Sequence, residues 1–334
     1  MLPDHCHRRI AIAAPADAGA ARELAATLGE GVLTEDGSGR LDAVVAALSA
    51  HLLEQPSGGT LLLRRWGRRQ GVECLAYSDH DIAPDALTGL RAQADRLATH
   101  VTPGVGTVTL ARVLRPGCSD EPSPTDTALA GVAMLARPEA ASCADGWFIR
   151  CNGDGSGIAL VVDGAAGDAS STDTARRTEA VVAATAPGLS PQMVIGAVRR
   201  DAATAPSNET AAGVTAAVLR FDGTAVDYTA LGTVAGAVVR RHGVTSLAAR
   251  WAMVGYNPQM PASVHLLWKP GDHVVLHSDG CARLPVLFIE RGLHEVDPTL
   301  AAAVLLRDGG LADDDRTVVV LRNVAAVVEE PASD

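Results

Sequence analysis

Short apolar, β-branched runs that end beside an aspartate restrict this chain's fold more than any other feature. Its four aspartate landmarks adjoin such runs directly or across one or two residues. The four are Asp145 in Cys143-Ala144-Asp145-Gly146-Trp147, Asp163 in Val161-Val162-Asp163-Gly164, Asp279 in His277-Ser278-Asp279-Gly280, and Asp314 in Asp313-Asp314-Asp315-Arg316-Thr317. Carboxylates at strand ends can converge in space although they lie far apart in sequence. Unpaired carboxylates brought together repel, and each raises its neighbour's pKa. A divalent cation resolves that conflict, and an all-oxygen site suits Mg²⁺ or Mn²⁺.

A plainer reading competes. Asp before Gly is a common turn pair, so each aspartate taken singly reads as a turn residue. As an ordered set they read as metal ligands. Asp313, Asp314 and Asp315 together fit a solvated turn with one member facing the metals. Asp168 fits an exposed acid at a helix start.

At 334 residues the chain has room for two domains of ordinary size. Its apolar fraction of 47% supports real cores, but only 3% is aromatic, so Ala, Val, Leu and Gly must do most of the packing. A formal charge of -11 argues against nucleic acid or an anionic membrane as the main partner. No segment reaches 18 consecutive apolar residues, so no membrane span is expected. The stretch from His5 to Ala14 lacks the apolar core of a signal peptide. Six scattered cysteines with no Cys-x-x-Cys pair fit a reducing, cytoplasmic setting. Cys143 and Cys151 could pair across a hairpin, but buried free thiols are the preferred reading.

One break divides the chain. Residues 116–127, rich in Pro, Ser and acid and without an apolar period, have a linker's composition. This predicts a first domain over 1–115, a second over 128–325 and a fraying tail over 326–334. In the first domain, Ile10–Ala13, Thr60–Leu63, Val72–Tyr77 and Gly106–Val113 read as strands. Ala18–Leu28, Leu41–Leu53 and Asp85–Leu97 read as helices. In the second, strands are expected at Gly131–Ala136, Gly146–Cys151, Gly157–Val162, Gly213–Phe221, Ala225–Leu231, Val264–Trp268, Asp272–Ser278 and Thr317–Leu321. Helices are expected at Thr172–Ala184, Pro191–Ala203 and from Pro298 to Arg307. Ser190 and Asp297 precede Pro191 and Pro298, which suits helix starts. Strands, a helix pair and more strands suggest two layers of sheet covered by helices, an α+β class.

The second domain resembles the metal-dependent serine/threonine phosphatases of type 2C (PPM), in particular their SpoIIE/RsbX-type bacterial branch. The matching pieces are Ala144-Asp145-Gly146-Trp147, Val162-Asp163-Gly164, Val226-Asp227-Tyr228-Thr229-Ala230-Leu231-Gly232, Pro270 to Gly280, and Asp314-Asp315-Arg316-Thr317-Val318. They stand in the family's order over about 195 residues. The resemblance implies an αββα sandwich with two Mn²⁺ or Mg²⁺ ions at one end of the sheets. It assigns Asp145, Asp163, Asp279 and Asp314 as metal ligands, with the Gly164 backbone carbonyl facing one ion. Asp163 and Asp279 would carry catalysis, in which a bridging hydroxide attacks phosphorus in line without a covalent phosphoenzyme. One departure stands out. Where the branch has a Leu-Gly-His-Gly-like continuation, this chain has Ala165-Ala166-Gly167-Asp168, which implies altered metal affinity, rate or substrate choice.

The first domain resembles the RsbT-type anti-sigma kinase fold of the GHKL ATPase class. Ala47 stands at that family's Glu position and His51 at its Mg²⁺-holding Asn. Asp79 and Gly104-Val105-Gly106-Thr107 echo its adenine-side and closing motifs, but the glycine-rich lid is missing. Without the base, the Mg²⁺ ligand and the phosphate-cradling amides, ATP binding and kinase chemistry are not expected. A degenerate sensor or docking module is.

Other candidates carry less. His51, His80, His242, His273 and His277 form no spaced ligand set. His273 and His277 share one strand face, and packed or surface histidines are the better reading. Arg176, Arg177 or Arg283 could grip a substrate phosphate, although surface ion pairs are commoner. The expected function is a signalling phosphatase for stress response, acting on a phosphorylated partner, with a STAS-domain anti-sigma antagonist as the substrate that the resemblance suggests. The competing expectation is a weak or inactive regulator that acts by protein binding in a partner-switching pathway.

Overall fold

In the computed structural model, described residues are 5–67, 70–81, 84–121, 123–140, 142–164, 169–203, 214–247 and 261–325. The altered loop over 165–168 lies outside them, as do His242's following segment 248–260 and the tail 326–334.

Three antiparallel five-stranded sheets stack with helices between and around them. The first sheet has the order β1-β2-β3-β5-β4, built from β1 (Arg8–Ile12), β2 (Gly59–Trp66), β3 (Gly71–Ser78), β4 (Arg96–Thr102) and β5 (Gly106–Leu114). Its alternating side chains face two different cores, as a period of two requires. On β2, Leu61 and Leu63 pack under α1 (Pro15–Gly29) and α2 (Glu35–Leu53), while Leu62 points to the opposite face. Leu75, Val108 and Leu110 share that opposite face.

The second sheet, β13-β10-β9-β8-β7, contains β7 (Gly146–Cys151), β8 (Gly157–Gly164), β9 (Val214–Phe221), β10 (Ala225–Leu231) and β13 (Val264–Leu267). The third, β12-β11-β14-β15-β6, contains β6 (Ala128–Leu135), β11 (Ala235–Arg240), β12 (Gly243–Leu247), β14 (His273–His277) and β15 (Arg316–Asn323). These two sheets face each other. Ala159 and Val161 of β8 meet Val319 and Leu321 of β15 in one core. The alternate residues Ile158, Leu160 and Val162 turn outward onto α3 (Ala169–Ala184) and α4 (Pro191–Ala203). Val318 and Val320 turn the other way, toward α5 (Leu284–Glu290) and α6 (Pro298–Gly309).

Helix α6 is the element shared by both halves of the chain. Every residue from Leu300 to Leu306 is buried, which marks a helix enclosed on all sides. Its partners come from the third sheet on one side and from Leu62, Leu75, Val108 and Leu110 on the other. Tyr77 Oη donates to Ala303 O at 3.0 Å, tying the first sheet directly to this helix. The resulting order of layers is α1/α2, first sheet, α5/α6, third sheet, second sheet, α3/α4.

The strand expectations hold with shifted ends, but two differences have physical causes. Asp85–Leu97 is not one helix. It is a short 3-10 helix (Pro84–Ala92) followed by β4, whose Arg96–Thr102 pairs along β5 and completes the sheet. Tertiary pairing overrides local helix preference there. Helix α2 starts six residues before Leu41, at Glu35. Thr34 caps it, accepting the Gly37 N–H at 3.3 Å, and the polar Glu35–Arg40 turn has no apolar period to reveal it. Strands β11 and β12 and helix α5 were not anticipated.

The linker composition over 116–127 coincides with irregular backbone, yet that segment is anchored. Asp120 accepts from Arg112 Nη1 at 2.7 Å. All six cysteines are free, including Cys143 and Cys151. No helix among the described residues is long and apolar enough to cross a membrane.

Candidate metal centre

Strand direction alone brings the four aspartates to one end of the sandwich. Asp145 immediately precedes β7 and Asp163 is the last residue but one of β8, and these strands pair antiparallel with Gly146 opposite Val162. Asp279 follows β14 and Asp314 precedes β15, and His277 lies opposite Val318. The start of one strand therefore lies beside the end of its neighbour in both facing sheets.

The turn reading of the Asp-Gly pairs fails at Gly146, which opens β7, and at Asp163-Gly164, which lie in β8, but holds at Asp279-Gly280, where the Cys281 N–H donates to Ser278 O at 3.3 Å. Neither Gly146 nor Gly280 adopts a positive φ. Each is needed for close approach instead. A Cβ at Gly146 would collide with the Glu179 carboxylate, and one at Gly280 would collide with the Asp315 carbonyl oxygen. The second contact seats the Asp279 loop directly against the Asp314–Asp315 turn.

The carboxylates form a chain of neighbours. Asp145 is 4% exposed and Asp163 8% exposed, whereas Asp279 and Asp314 are exposed at the rim. Burial, then the charge of Asp163, pushes the Asp145 carboxyl well above the usual carboxylate range. The hydroxyls of Ser278 and Thr317 lie near enough to favour its anion, but Oδ2 is buried with no hydrogen-bond partner among the described residues. Burial first, then the Asp279 charge and a hydrogen bond with Asp279, raises Asp163 to about 7; Thr233 opposes this. Thr233 Oγ1 donates to Asp163 Oδ2 at 3.1 Å. Asp314 is raised by burial and then by Asp279 and Asp315. Gly164 closes β8 next to Asp163 and is half-buried.

Two side chains hold this end together: Asp315, which the sequence reading placed in a solvated turn, and Glu179, which it passed over. Asp315 is buried and accepts the backbone N–H of Arg137 at 2.8 Å and of Ala144 at 2.7 Å. The triplet Asp313–Asp315 is thus not a wholly solvated turn. Glu179 on α3 accepts the Trp147 N–H at 3.1 Å. Asp145 is therefore fixed from both flanks, through Ala144 and Trp147. Nothing local in the sequence marks Glu179 as a partner of residues 32 positions earlier. Thr233 lies one residue beyond the Val226–Gly232 motif and was missed for that narrow reason.

The arginines considered for phosphate are differently placed. Arg177 pairs with Asp201 at 2.9 Å and Arg176 lies 3.9 Å from Asp173. Arg283, directly beyond the Asp279 loop, has a left-handed backbone (φ 59°) and pairs with Glu290 at 3.6 Å. His273 and His277 are both buried on β14. His277 Nδ1 lies 2.9 Å from Ser278 O, and His273 packs against Phe288 and His294.

The donor set suits a hard divalent cation: all oxygen, mutually repelling, with one buried oxygen left without a partner. The side chains do not form a finished cage, because among the described residues no three His, Cys, Asp or Glu groups are placed to hold one ion.

No family model matches the chain, and no curated protein matches it. Solved structures do. A chain from work on the bacterial stressosome, described as a modular system adapted to control secondary messenger signalling, shares 19% identity and a TM-score of 0.52. That match covers 59% of this chain and 100% of the other. RsbX in complex with magnesium shares 17% identity over 59% of this chain and 95% of its own, with a TM-score of 0.49. The PP2C phosphatase domain of SpoIIE from Bacillus subtilis, with a fragment of its regulatory domain, shares 16% identity. It covers 80% of this chain and 82% of its own, with a TM-score of 0.49. The first of these likenesses, with its TM-score of 0.52, speaks to the fold alone.

Proposed function

We propose that this protein is a metal-dependent serine/threonine protein phosphatase that acts on a phosphorylated regulatory partner. The single observation that carries the reading is the chain Asp145–Asp163–Asp279–Asp314, in which two buried and two rim carboxylates are drawn together; the buried pair, Asp145 and Asp163, has no balancing cation among the described residues, while Arg137 acts on Asp314 at the rim. Asp145, Asp163, Asp279 and Asp314, with the Gly164 carbonyl, would hold two Mn²⁺ or Mg²⁺ ions. RsbX, with its bound magnesium, is a solved relative in fold. Such ions supply Lewis-acid polarisation of phosphoryl oxygens and a nucleophile at neutral pH.

The protein's own contribution is placement. Asp315 and Glu179 fix the backbone on either side of Asp145. Thr233 orients Asp163, and the Gly280–Asp315 contact sets Asp279 against Asp314. The exposed rim at Asp279 and Asp314 is where a phosphorylated serine or threonine on another protein could enter. The resemblance suggests a STAS-domain protein as that partner, and the net charge of -11 argues against nucleic acid. Residues 1–115 would dock the partner or gate the second domain, a role compatible with their packing on α6.

A second reading is a binding regulator without turnover. It is favoured by one observation, the lack of a finished three-ligand cage among the described residues. Turnover of a phosphoserine peptide with and without Mn²⁺, in wild type, Asp163→Asn and Asp279→Asn, separates the two. Activity that needs Mn²⁺ and disappears in both variants supports the phosphatase. Equal, feeble turnover in all three proteins supports the regulator.

A further inference from the structure

A cavity of about 590 Å³ lies where three parts of the fold meet, apart from the exposed rim at Asp279 and Asp314. Trp66 at the end of β2, Val132 on β6, and Trp147, Phe148 and Ile149 on β7 form its wall, with Glu179 of α3. β6 and β7 are edge strands of the two facing sheets. The cavity is therefore the open flank of the sandwich, closed over by the first sheet.

Its volume lies in the range of small-molecule sites, roughly 300–1,000 Å³. Trp66, Trp147 and Phe148 give the lining three aromatic rings beside the aliphatic Val132 and Ile149, and such rings favour offset or edge-on contact with another flat ring. The charged groups around it are committed elsewhere. Arg65 Nε donates to Leu28 O at 2.9 Å, and its Nη2 donates to Thr27 O and Glu30 O at 3.3 Å, at the end of α1. Arg64 Nε pairs with Glu73 at 2.7 Å, and its guanidinium lies 5.4 Å from the centre of the Trp147 ring. Glu179 Oε1 holds the Trp147 N–H and lies 3.3 Å from His5 Nε2. A charged ligand would have to break one of these arrangements to find a counter-ion. An uncharged one would not.

We propose that this cavity binds an uncharged, planar aromatic small molecule of one or two fused rings. The occupant would lie against Trp147, two residues after Asp145, and against Glu179, which holds that backbone. Residues of the first sheet and of the metal-centre strand would then share one ligand. Binding stands independently of the phosphatase reading; only an effect on turnover would rest on it.

Benzimidazole at pH 8, where it is neutral, is a suitable probe, with benzoate as the anionic control and benzamidine as the cationic one. Two of the four tryptophans line the cavity, so intrinsic fluorescence reports occupancy alongside calorimetry. The expected result is saturable benzimidazole binding with a fluorescence change, and at least about tenfold weaker binding of both charged controls. Ala130→Trp fills the mouth from an exposed position on β6 and is expected to weaken benzimidazole at least about tenfold. Trp66→Leu, which keeps an apolar wall but removes a ring, is the second arm, read only in protein with wild-type circular dichroism. No saturable binding, binding indifferent to both variants, or preference for a charged probe would overturn the proposal. None of these readouts uses turnover, so failure of the phosphatase reading leaves them intact.

Discussion

Two buried carboxylate centres in this molecule are built in opposite ways. Around Glu73, which is fully buried, the protein supplies its own counter-charge. Arg64 and Arg112 each approach within 2.7 Å, and His7 lies 3.2 Å away. Burial alone would raise the Glu73 carboxyl, but the two guanidinium charges outweigh it and hold the group far below its ordinary range. His7, pushed down to about 4 chiefly by burial, stays neutral beside them. At the other centre, Asp145 and Asp163 are almost as deeply buried, yet no Arg or Lys pairs with either among the described residues. Their carboxyls are raised where Glu73 is lowered. The first centre is complete and joins parts of the fold: Arg112 also donates to Thr299 at 2.6 Å, at the start of α6. The second has no such counter-charge from the described residues, and its carboxyls are raised in consequence.

The sharpest way to break this contrast is to neutralise the incomplete centre and look for lost chemistry. Asp279→Asn is expected to lower Mn²⁺-dependent turnover by more than about a hundredfold, since even outer partners of metal ligands cost 10–100-fold. Steady-state kinetics on a phosphopeptide would measure it, and turnover unchanged within threefold would remove Asp279 from the site.

Neutralising the complete centre should act on stability instead. Glu73→Gln leaves two buried guanidinium groups short of an anion, which is expected to cost about 3–5 kcal/mol. Urea unfolding would read this as a lower midpoint, and a midpoint equal to wild type would mean that the cluster is relaxed by water.

The same kind of change at the incomplete centre should have the opposite sign. In cation-free buffer Asp163→Asn is expected to stabilise the fold at pH 8, by on the order of 1–4 kcal/mol. The folded state holds a proton on Asp163 up to about pH 7, whereas the unfolded chain releases it near the ordinary value of 3.8. Wild-type stability should therefore fall as pH rises from about 4 to 7, and the variant should lose that slope. Saturating Mn²⁺ should raise the wild-type melting temperature and leave the variant less affected. Equal pH slopes in the two proteins would show that Asp163 is not elevated.

The smallest expected effect concerns the junction between the halves. Asp297 caps α6, accepting the Thr299 N–H at 2.9 Å, and pairs with Arg96 of the first sheet at 2.9 Å. Asp297→Ala should cost about 1–2 kcal/mol, the range for a lost N-cap, seen as one cooperative transition at lower temperature. Two separated transitions would show that the halves unfold independently.

Much of this was legible along the chain because strands announce themselves locally. Gly146–Cys151, Ala225–Leu231 and Pro191–Ala203 begin and end where turn residues and proline place them. The aspartates were legible for the same reason, sitting beside apolar runs. β4 was not, because Arg96–Thr102 is half-polar and becomes a strand only by pairing with β5. The bonds of Asp315 and Glu179 were also hidden, since their donors, the N–H groups of Ala144 and Trp147, lie 171 and 32 residues away.

Alone, the sequence determined which segments could be strands and which acids would stand at their ends, since both follow from side-chain period and turn chemistry over a few residues. The tertiary structure decided that Glu73 meets two arginines while Asp145 and Asp163 meet other acids and hydroxyls. It also decided that one helix, α6, packs between two sheets. Burial and charge balance depend on which distant strands end up side by side, and no local pattern of residues encodes that.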